Sequence, residues 1–182
     1  SEAPIVRERR PVRLVGDLLL PVREEVLPFL RMRRFSIEDI RIEESARLPR
    51  LLLDPEAMKA ALLNLLRNAI KYADPKPSRF LVTIGAHRTD DDGVCIFVRD
   101  QGIGVPEDFA EKIFTRGQRA PNAVECGTVG LGLGLVVVRR VLREHGGDAR
   151  LIHSANPTEF GLFLPRDAIV PDDISRRDAV TS

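Results

Sequence analysis

Apolar and polar residues alternate with two different periods in the first third of the chain. Residues 16–34 carry apolar side chains at near-helical spacing, which predicts a helix that Asp17 caps and Pro28 kinks. Residues 37–44 alternate between apolar and charged side chains, which is typical of a strand with one buried face. Residues 50–54 are mostly apolar and predict a short buried strand.

The strongest helix prediction covers residues 54–74. Asp54 is a favourable N-cap, Pro55 fits the first helical position, and Ala, Leu, Met and Ile fill the interior. Pro75 and Pro77 predict the end of the helix, because proline lacks the N–H group that a helix interior requires.

The centre of the chain predicts a β-hairpin and then a long connection. Residues 79–89 and 94–100 alternate β-favouring side chains and flank a "DDDG" turn. Residues 105–114 predict a short helix. Residues 115–129 contain glycine, proline and asparagine and predict a loop. A loop of this length within a compact domain is usually functional or mobile.

The last third of the chain predicts one helix, two strands and a tail. The helix begins near Gly132 and ends at Gly146, and the strands cover residues 148–153 and 160–165. The residues after Pro165 are charged, and we expect them to be poorly ordered. The order of elements predicts an α+β sandwich, with helices on one face of a mixed, mostly antiparallel sheet.

Composition limits the possible functions. The 182 residues are 43% hydrophobic, enough for one globular domain with a single core. The 28 Lys and Arg nearly balance the 27 Asp and Glu, so overall charge does not indicate a nucleic-acid partner. The apolar runs are far shorter than the ~20 residues of a membrane span, so we expect no direct membrane contact. Cys95 and Cys126 form no disulfide or zinc pattern, which predicts a cytoplasmic setting.

Glycines at the start of a predicted helix suggest a binding site. Gly130, Gly132 and Gly134 alternate with leucines, although each glycine inside a helix costs about 1 kcal/mol relative to alanine. One explanation is anion binding by backbone N–H groups at a helix N-terminus, and the other is close packing against the sheet. The spacing matches neither a Walker loop nor a Rossmann fingerprint, so a different nucleotide-binding architecture would be needed.

Two further motifs accompany these glycines. In "RDQGIGVP", Asp100 stands at a predicted strand end and precedes a pair of glycines. In "NLLRNAIKY", four polar residues lie on one face of the long helix. These are Asn64, Asn68, Lys71 and Tyr72.

Together, the three stretches resemble the N box and the two glycine boxes of the GHKL ATPase superfamily. This superfamily includes gyrase-type topoisomerases, heat-shock chaperones, histidine kinases and mismatch-repair ATPases. "EKIFTRG" resembles its F box, and "VVVRRVLREHGG" is similar to the helix after the last glycine box of sensor histidine kinases. The resemblance implies a Bergerat-type ATP-binding fold, a two-layer α/β sandwich with a mobile ATP lid.

The resemblance implies roles for individual side chains. Asp100 would accept a hydrogen bond from the adenine amino group, and Tyr72 would line the adenine pocket. Asn68, with Asn64 one turn earlier, would hold Mg²⁺ through its side-chain oxygen. Lys71 would reach the terminal phosphates of ATP. Asn64 and Lys71 are thus both catalytic candidates.

The glycine boxes and the lid supply the remaining candidates. Gly102, Ile103 and Gly104 would border the nucleotide, and residues 115–129 would form the lid. In the lid, Arg119 or Arg116 would stabilise charge on the transferred phosphoryl group, and Arg119 is our candidate. The residues expected to bring backbone to the phosphates are Thr128, Gly130, Leu131, Gly132, Leu133 and Gly134.

Thr158 resembles the threonine that joins the water network of the adenine-binding aspartate. Pro157 precedes it, where the family usually has glycine, so the sequence departs from the family pattern next to this candidate.

Position 64 separates the branches of the superfamily. The chaperone and topoisomerase branches have a glutamate there that activates water, whereas Asn64 cannot act as a general base. The asparagine therefore favours a histidine kinase, which transfers phosphoryl to another side chain. Two alternative interpretations are an anti-sigma-type serine/threonine kinase of the same superfamily and a non-enzymatic docking module that transfers no phosphoryl group, with or without bound nucleotide.

The phosphoacceptor is expected outside this chain. His87, His145 and His153 lack the surroundings of a phosphoacceptor box, so we expect all three to be structural. The expected partners are the histidine-phosphoacceptor dimerisation domain of the same protein and a downstream response regulator. We accordingly divide the chain into a linker remnant (1–12), the catalytic domain (13–165) and a charged tail (166–182).

Overall fold

A computed structural model describes residues 3–43, 48–73, 82–125 and 132–171. Its regular elements, in chain order, are strand β1 Arg10–Val12, a π-helical segment Leu14–Leu19, helices α1 Leu20–Glu25 and α2 Leu27–Met32, strands β2 Ile40–Glu43 and β3 Leu51–Leu53, helix α3 Pro55–Lys71, strands β4 Val82–Arg88 and β5 Val94–Asp100, helices α4 Pro121–Glu125 and α5 Gly134–Glu144, and strands β6 Asp148–Ser154 and β7 Thr158–Leu164.

The main sheet has five strands in the order β2-β4-β5-β7-β6. Only β2 and β4 pair in parallel, and the other three pairings are antiparallel. Alternate residues such as Ile84, Ile96 and Leu162 are fully buried in the core that α3 and α5 share with the sheet. The predicted α+β fold with a mostly antiparallel sheet is confirmed.

Helix α3 forms as its sequence predicts. The Asp54 carboxylate accepts hydrogen bonds from the backbone N–H groups of Glu56 and Ala57, both at 3.1 Å, and Pro55 occupies the first turn. Its apolar face is buried against the core. One side of its C-terminal half therefore presents polar side chains beside the sheet.

The segment predicted as one helix over residues 16–34 is divided into three. It begins earlier, at Leu14, and Asp17 lies inside the first segment, where its carboxylate accepts from the Arg13 N–H at 2.9 Å. Pro21 and Pro28 each stand at the second position of a new helix. Proline is tolerated there but interrupts a continuous helix, which explains the division.

Both ends of the described chain pack against the domain. Residues Arg10–Val12 pair with Leu51–Leu53 in a separate two-stranded sheet, and the N–H groups of Ile5 and Val6 both bond the Glu144 carboxylate at 2.8 Å. After Pro165 the chain forms a 3₁₀ turn and a bridge to β3, so our expectation of poor order is wrong for residues 166–171. Residues 172–182 lie outside the described residues, and the predicted domain limits stay predictions.

Three further predictions differ in detail. Residues 105–114 form two 3₁₀ turns, Glu107–Phe109 and Lys112–Phe114, in place of one helix. The predicted loop after residue 114 contains α4, and its residues 126–129 lie outside the described ranges. Strand β7 begins at Thr158, two residues earlier than predicted.

The end of α5 follows the prediction. Gly146 has a φ of +81° and its N–H bonds Arg143 O, while Gly147 N–H bonds Leu142 O at 2.8 Å. In the described ranges, no helix is both long and apolar enough to span a bilayer.

Candidate functional site

A cavity of about 400 Å³ opens between α3, the loop after β5, α4 and the start of α5. Twelve of the predicted site residues line it. They are Asn64, Asn68, Lys71, Tyr72, Asp100, Ile103, Gly104, Arg119, Gly132, Leu133, Gly134 and Thr158. The fold thus brings the three motifs together from distant parts of the sequence.

Asp100 is the last residue of β5 and lies at the inner wall of the cavity. It is 7% exposed, and its Oδ1 accepts a hydrogen bond from the Gly102 N–H at 2.8 Å. Burial disfavours the charged carboxylate and raises its pKa from the ordinary 3.8 to about 6, although the Gly102 bond acts in the opposite direction. An ionisable group held in this way is typical of a binding or catalytic site.

Thr158 lies beside Asp100. The two residues pair across strands β5 and β7, and the buried Thr158 Oγ1 has no hydrogen-bond partner among the described residues. Buried hydroxyls normally find a partner. This corner therefore suits a water molecule or a polar ligand group between the carboxylate and the hydroxyl, as the predicted adenine contact requires.

Gly102 serves the site indirectly. It does not line the cavity, in contrast to our expectation that it borders the nucleotide. A Cβ atom there would lie 2.6 Å from Tyr72 O and 2.8 Å from Asp100 Oδ1, so only glycine fits. The next residue, Ile103, donates its N–H to Tyr72 O at 3.1 Å. Gly102 thus lets the loop pack against the end of α3.

The polar face of α3 forms a second wall. Asn64 and Asn68 are one turn apart, and the Asn64 Nδ2 donates to Ala60 O at 3.0 Å. Lys71 places its Nζ 4.9 Å from the centroid of the Tyr72 ring. From residue 64 to residue 72 this face extends about 12 Å along the helix axis.

The described glycines at the start of α5 lie close to other parts of the protein. Gly132 has a φ of +65°, and a Cβ atom there would lie 2.8 Å from Gln118 O. A Cβ atom on Gly134 would lie 3.0 Å from the Asn64 Oδ1. Packing against backbone therefore accounts for Gly132, whereas a side chain at position 134 would meet only the end of the Asn64 side chain. Contact of either glycine with phosphates stays a prediction. The candidates Thr128, Gly130 and Leu131, together with Cys126, lie outside the described residues.

The structure distinguishes the two lid arginines. Arg119 lines the cavity and its Nη2 donates to Ala123 O at 3.1 Å. Arg116 is exposed and does not line the cavity. The catalytic role of Arg119 stays a prediction.

Sequence reasoning missed the apolar wall of the cavity and one of its cations. Helical spacing could have predicted Arg67, because it is three residues from Asn64 on α3. Strand alternation could have predicted Phe160, because it is two residues after Thr158 on β7. Other contributions depend on contacts between distant segments. The missed lining residues are Arg67, Ala69, Val105, Ile113, Gln118, Ala120, Ala123, Leu135 and Phe160.

The charges around the cavity suit an anionic ligand with a polar ring. Three cationic side chains line it, Arg67, Lys71 and Arg119, and Asp100 is the only acidic one among the described lining residues. The cations can attract phosphate groups, while the carboxylate can accept a hydrogen bond from an amino group.

The three histidines do not line the cavity. His145 is buried between α3 and α5, where its Nε2 accepts from Asp54 N–H at 3.0 Å and its Nδ1 lies 2.8 Å from Val141 O. Burial lowers its pKa. His87 and His153 are exposed on strands.

Sequence comparisons identify relatives of the chain. Residues 53–168 match the sequence model of the family described as histidine kinase-, DNA gyrase B-, and HSP90-like ATPase. The adaptive-response sensory kinase SasA of Prochlorococcus marinus (strain MIT 9215) is 35% identical over 73% of this chain and 34% of its own length. SasA of Synechococcus sp. (strain CC9311) is 34% identical over 72% and 33%. The chain spans about a third of the length of these relatives.

Solved structures agree with the sequence relatives. Full-length ShkA in complex with AMPPNP has a TM-score of 0.73 and 27% identity, over 90% of this chain and 32% of ShkA. The mycobacterial sensor histidine kinase MprB has a TM-score of 0.62 and 26% identity, over 86% of this chain and 97% of that one. With a family model that matches more than half of its residues, the chain belongs to the histidine kinase-, DNA gyrase B-, and HSP90-like ATPase family, as its N box and glycine boxes predicted.

Proposed function

We propose that the chain is the ATP-binding catalytic domain of a two-component sensor histidine kinase. It would transfer the γ-phosphoryl group of Mg-ATP to a histidine on a domain outside this chain. The observation that carries the proposal is the cavity itself, which combines the buried Asp100–Thr158 corner with Asn64 at the position where hydrolytic relatives have glutamate. A similar chain, ShkA, has been crystallised with AMPPNP, and relatives are named as sensory kinases.

Each group has a defined task in this proposal. Asp100 accepts a hydrogen bond from the adenine amino group, and a water molecule joins it to the Thr158 Oγ1. The oxygens of Asn68 and Asn64 suit Mg²⁺, a hard cation that would neutralise charge on the phosphates. Lys71 and Arg119 stabilise charge on the transferred group. The acceptor nitrogen bonds to the γ-phosphorus as the bond to the bridging oxygen breaks, and ADP leaves.

Asn64 favours transfer to a protein side chain over hydrolysis. An amide cannot remove a proton from water, and Asp100 is the one carboxylate among the described lining residues, at the corner assigned to adenine. The proposed partners are therefore a histidine-phosphoacceptor dimerisation domain of the same protein and a downstream response regulator. A cytoplasmic setting is part of the same proposal.

Calorimetric titration tests the nucleotide site. The parent chain should bind ATP with Mg²⁺, Asp100→Ala should abolish binding, and Asn68→Ala should bind without dependence on magnesium. Asp90→Ala, in the exposed turn between β4 and β5, is the matched control and should bind like the parent. A folded parent without measurable affinity for ATP would support the docking-module reading.

Addition of a separate phosphoacceptor domain and radiolabelled ATP tests the transfer. Label that is lost in acid and retained in base indicates phosphohistidine, whereas acid-stable label would favour the serine/threonine kinase reading. Bound ATP without any labelled acceptor would refute the kinase proposal for that acceptor class.

A further inference from the structure

Asn122, in the first turn of α4, connects the lid to the loop after β5. Its Nδ2 donates to Gly104 O at 3.0 Å and to Ile103 O at 3.3 Å, and its Oδ1 accepts from the Ala123 N–H at 3.1 Å. The side chain is half-buried. Both ends of this amide are thus engaged, which fixes its orientation.

The loop that receives these bonds is itself held firmly. Ile103 N–H donates to Tyr72 O at 3.1 Å, and Val105 N–H donates to Ser154 O at 2.7 Å. These bonds tie the loop to α3 and to β6. The two carbonyl groups that face Asn122 therefore belong to a part of the cavity that backbone hydrogen bonds attach to both α3 and β6.

On the lid side, Asn122 is coupled to the cavity wall. Ala120 and Ala123 both line the cavity, and Ala123 N–H also bonds Ala120 O at 3.1 Å. Arg119 donates to Ala123 O in the same turn. Displacement of Asn122 would therefore move two wall residues and the arginine that is proposed to contact the phosphates.

We propose that Asn122 is a positioning residue that fastens the lid to the first glycine loop and thereby slows nucleotide dissociation. This inference rests on the proposed ATP site, since that nucleotide is what the fastened wall retains. An amide suits the position because both facing groups are carbonyl oxygens, which accept hydrogen bonds only. An aspartate of the same shape would place a carboxylate against them and repel the loop.

Dissociation kinetics test the proposal. The chain is loaded with a fluorescent ADP analogue and Mg²⁺, and the rate of release into excess unlabelled ADP is measured. We expect Asn122→Ala to raise the rate about tenfold, a change that corresponds to ~1.4 kcal/mol and agrees with the loss of one or two partly buried hydrogen bonds. Asn122→Asp should release the analogue at least as fast. Glu125→Ala, an exposed residue of the same helix, is the matched control and should not change the rate.

Two additional measurements separate this role from a general loss of structure. The thermal midpoint without nucleotide should fall by no more than about 6 °C in either variant, the change expected when a domain of this size loses one or two hydrogen bonds. Amide hydrogen exchange at Ala123 should be faster in Asn122→Ala than in the parent, because that variant lacks the side-chain oxygen that accepts from the Ala123 N–H. If the parent binds the analogue and both variants release it at the same rate as the parent, the proposal is overturned. If the parent binds no nucleotide, the proposed function fails first, and unchanged exchange at Ala123 would then overturn the lid contact separately.

Discussion

Replacement of Asp100 by asparagine should stabilise the protein and weaken its affinity for ATP. Asp100 is buried, it accepts one hydrogen bond from Gly102 N–H, and its pKa is raised to about 6. The folded state therefore binds a proton more tightly than the unfolded chain does. An asparagine keeps the shape and can still accept the Gly102 bond, but it carries no charge to bury.

The magnitude follows from the two pKa values. The pKa rises from 3.8 in an accessible carboxyl to about 6 in the folded protein. Each unit of difference between the two pKa values corresponds to about 1.4 kcal/mol, so the ionised carboxylate lowers the free energy of unfolding by at most about 3 kcal/mol. The cost is absent below about pH 4, where the group is protonated in both states. It grows as the pH rises and is complete above about pH 6.

Urea unfolding of the two proteins at several pH values measures this effect. At pH 7.5 or so, Asp100→Asn should be more stable by about 1–3 kcal/mol, and the difference should disappear near pH 4. Asp54→Asn is a control that should be less stable than the parent at neutral pH. Burial alone would raise the pKa of Asp54, but hydrogen bonds from four backbone N–H groups outweigh burial and lower this pKa. A variant no more stable than the parent at neutral pH would falsify the claim that the site holds a costly buried charge.

The same variant should bind ATP more weakly. The ionised carboxylate is the stronger acceptor for the adenine amino group, and hydrogen bonds to charged groups contribute about 1.5–3 kcal/mol, which corresponds to a loss of roughly 10- to 100-fold in affinity. In the parent, affinity should rise as the pH increases through about 6 and Asp100 ionises. Calorimetry in buffers of different ionisation enthalpy should detect proton release on binding below that pH.

Three further predictions concern the framework around the site. Asp54→Ala should lower the stability at pH 7 by about 1–2 kcal/mol in urea unfolding, with a smaller loss in acid, because the capping carboxylate acts when ionised. Gly132→Ala should lower ATP affinity in calorimetry, because alanine is strained at a φ of +65° and the backbone that lines the cavity would shift. An unchanged affinity would contradict a contribution of this backbone to the nucleotide site. Glu144→Gln should speed amide exchange at Ile5 and Val6, which both donate to that carboxylate, and protection equal to the parent would exclude this attachment.

The sequence by itself determined those elements that local interactions specify. Asp54 and Pro55 fix the start of α3 because a cap and a proline act within one helical turn. Gly146 ends α5 for the same reason, since a residue with positive φ is needed there. The motif residues on α3 and after β5 could likewise be named in advance, because helical and strand periodicity place them on one face or at one strand end.

Only the tertiary structure decided the features that depend on contacts between distant residues. The pairing of Arg10–Val12 with Leu51–Leu53 and the attachment of Ile5 to Glu144 join segments whose sequences contain no signal of each other. The raised pKa of Asp100 arises from its burial, which no local pattern reports. The contact of Asn122 with the loop at Gly104 arises because the fold brings a lid helix beside a strand end. Local propensity acts within a few residues, whereas desolvation and long-range hydrogen bonds exist only once the chain is folded.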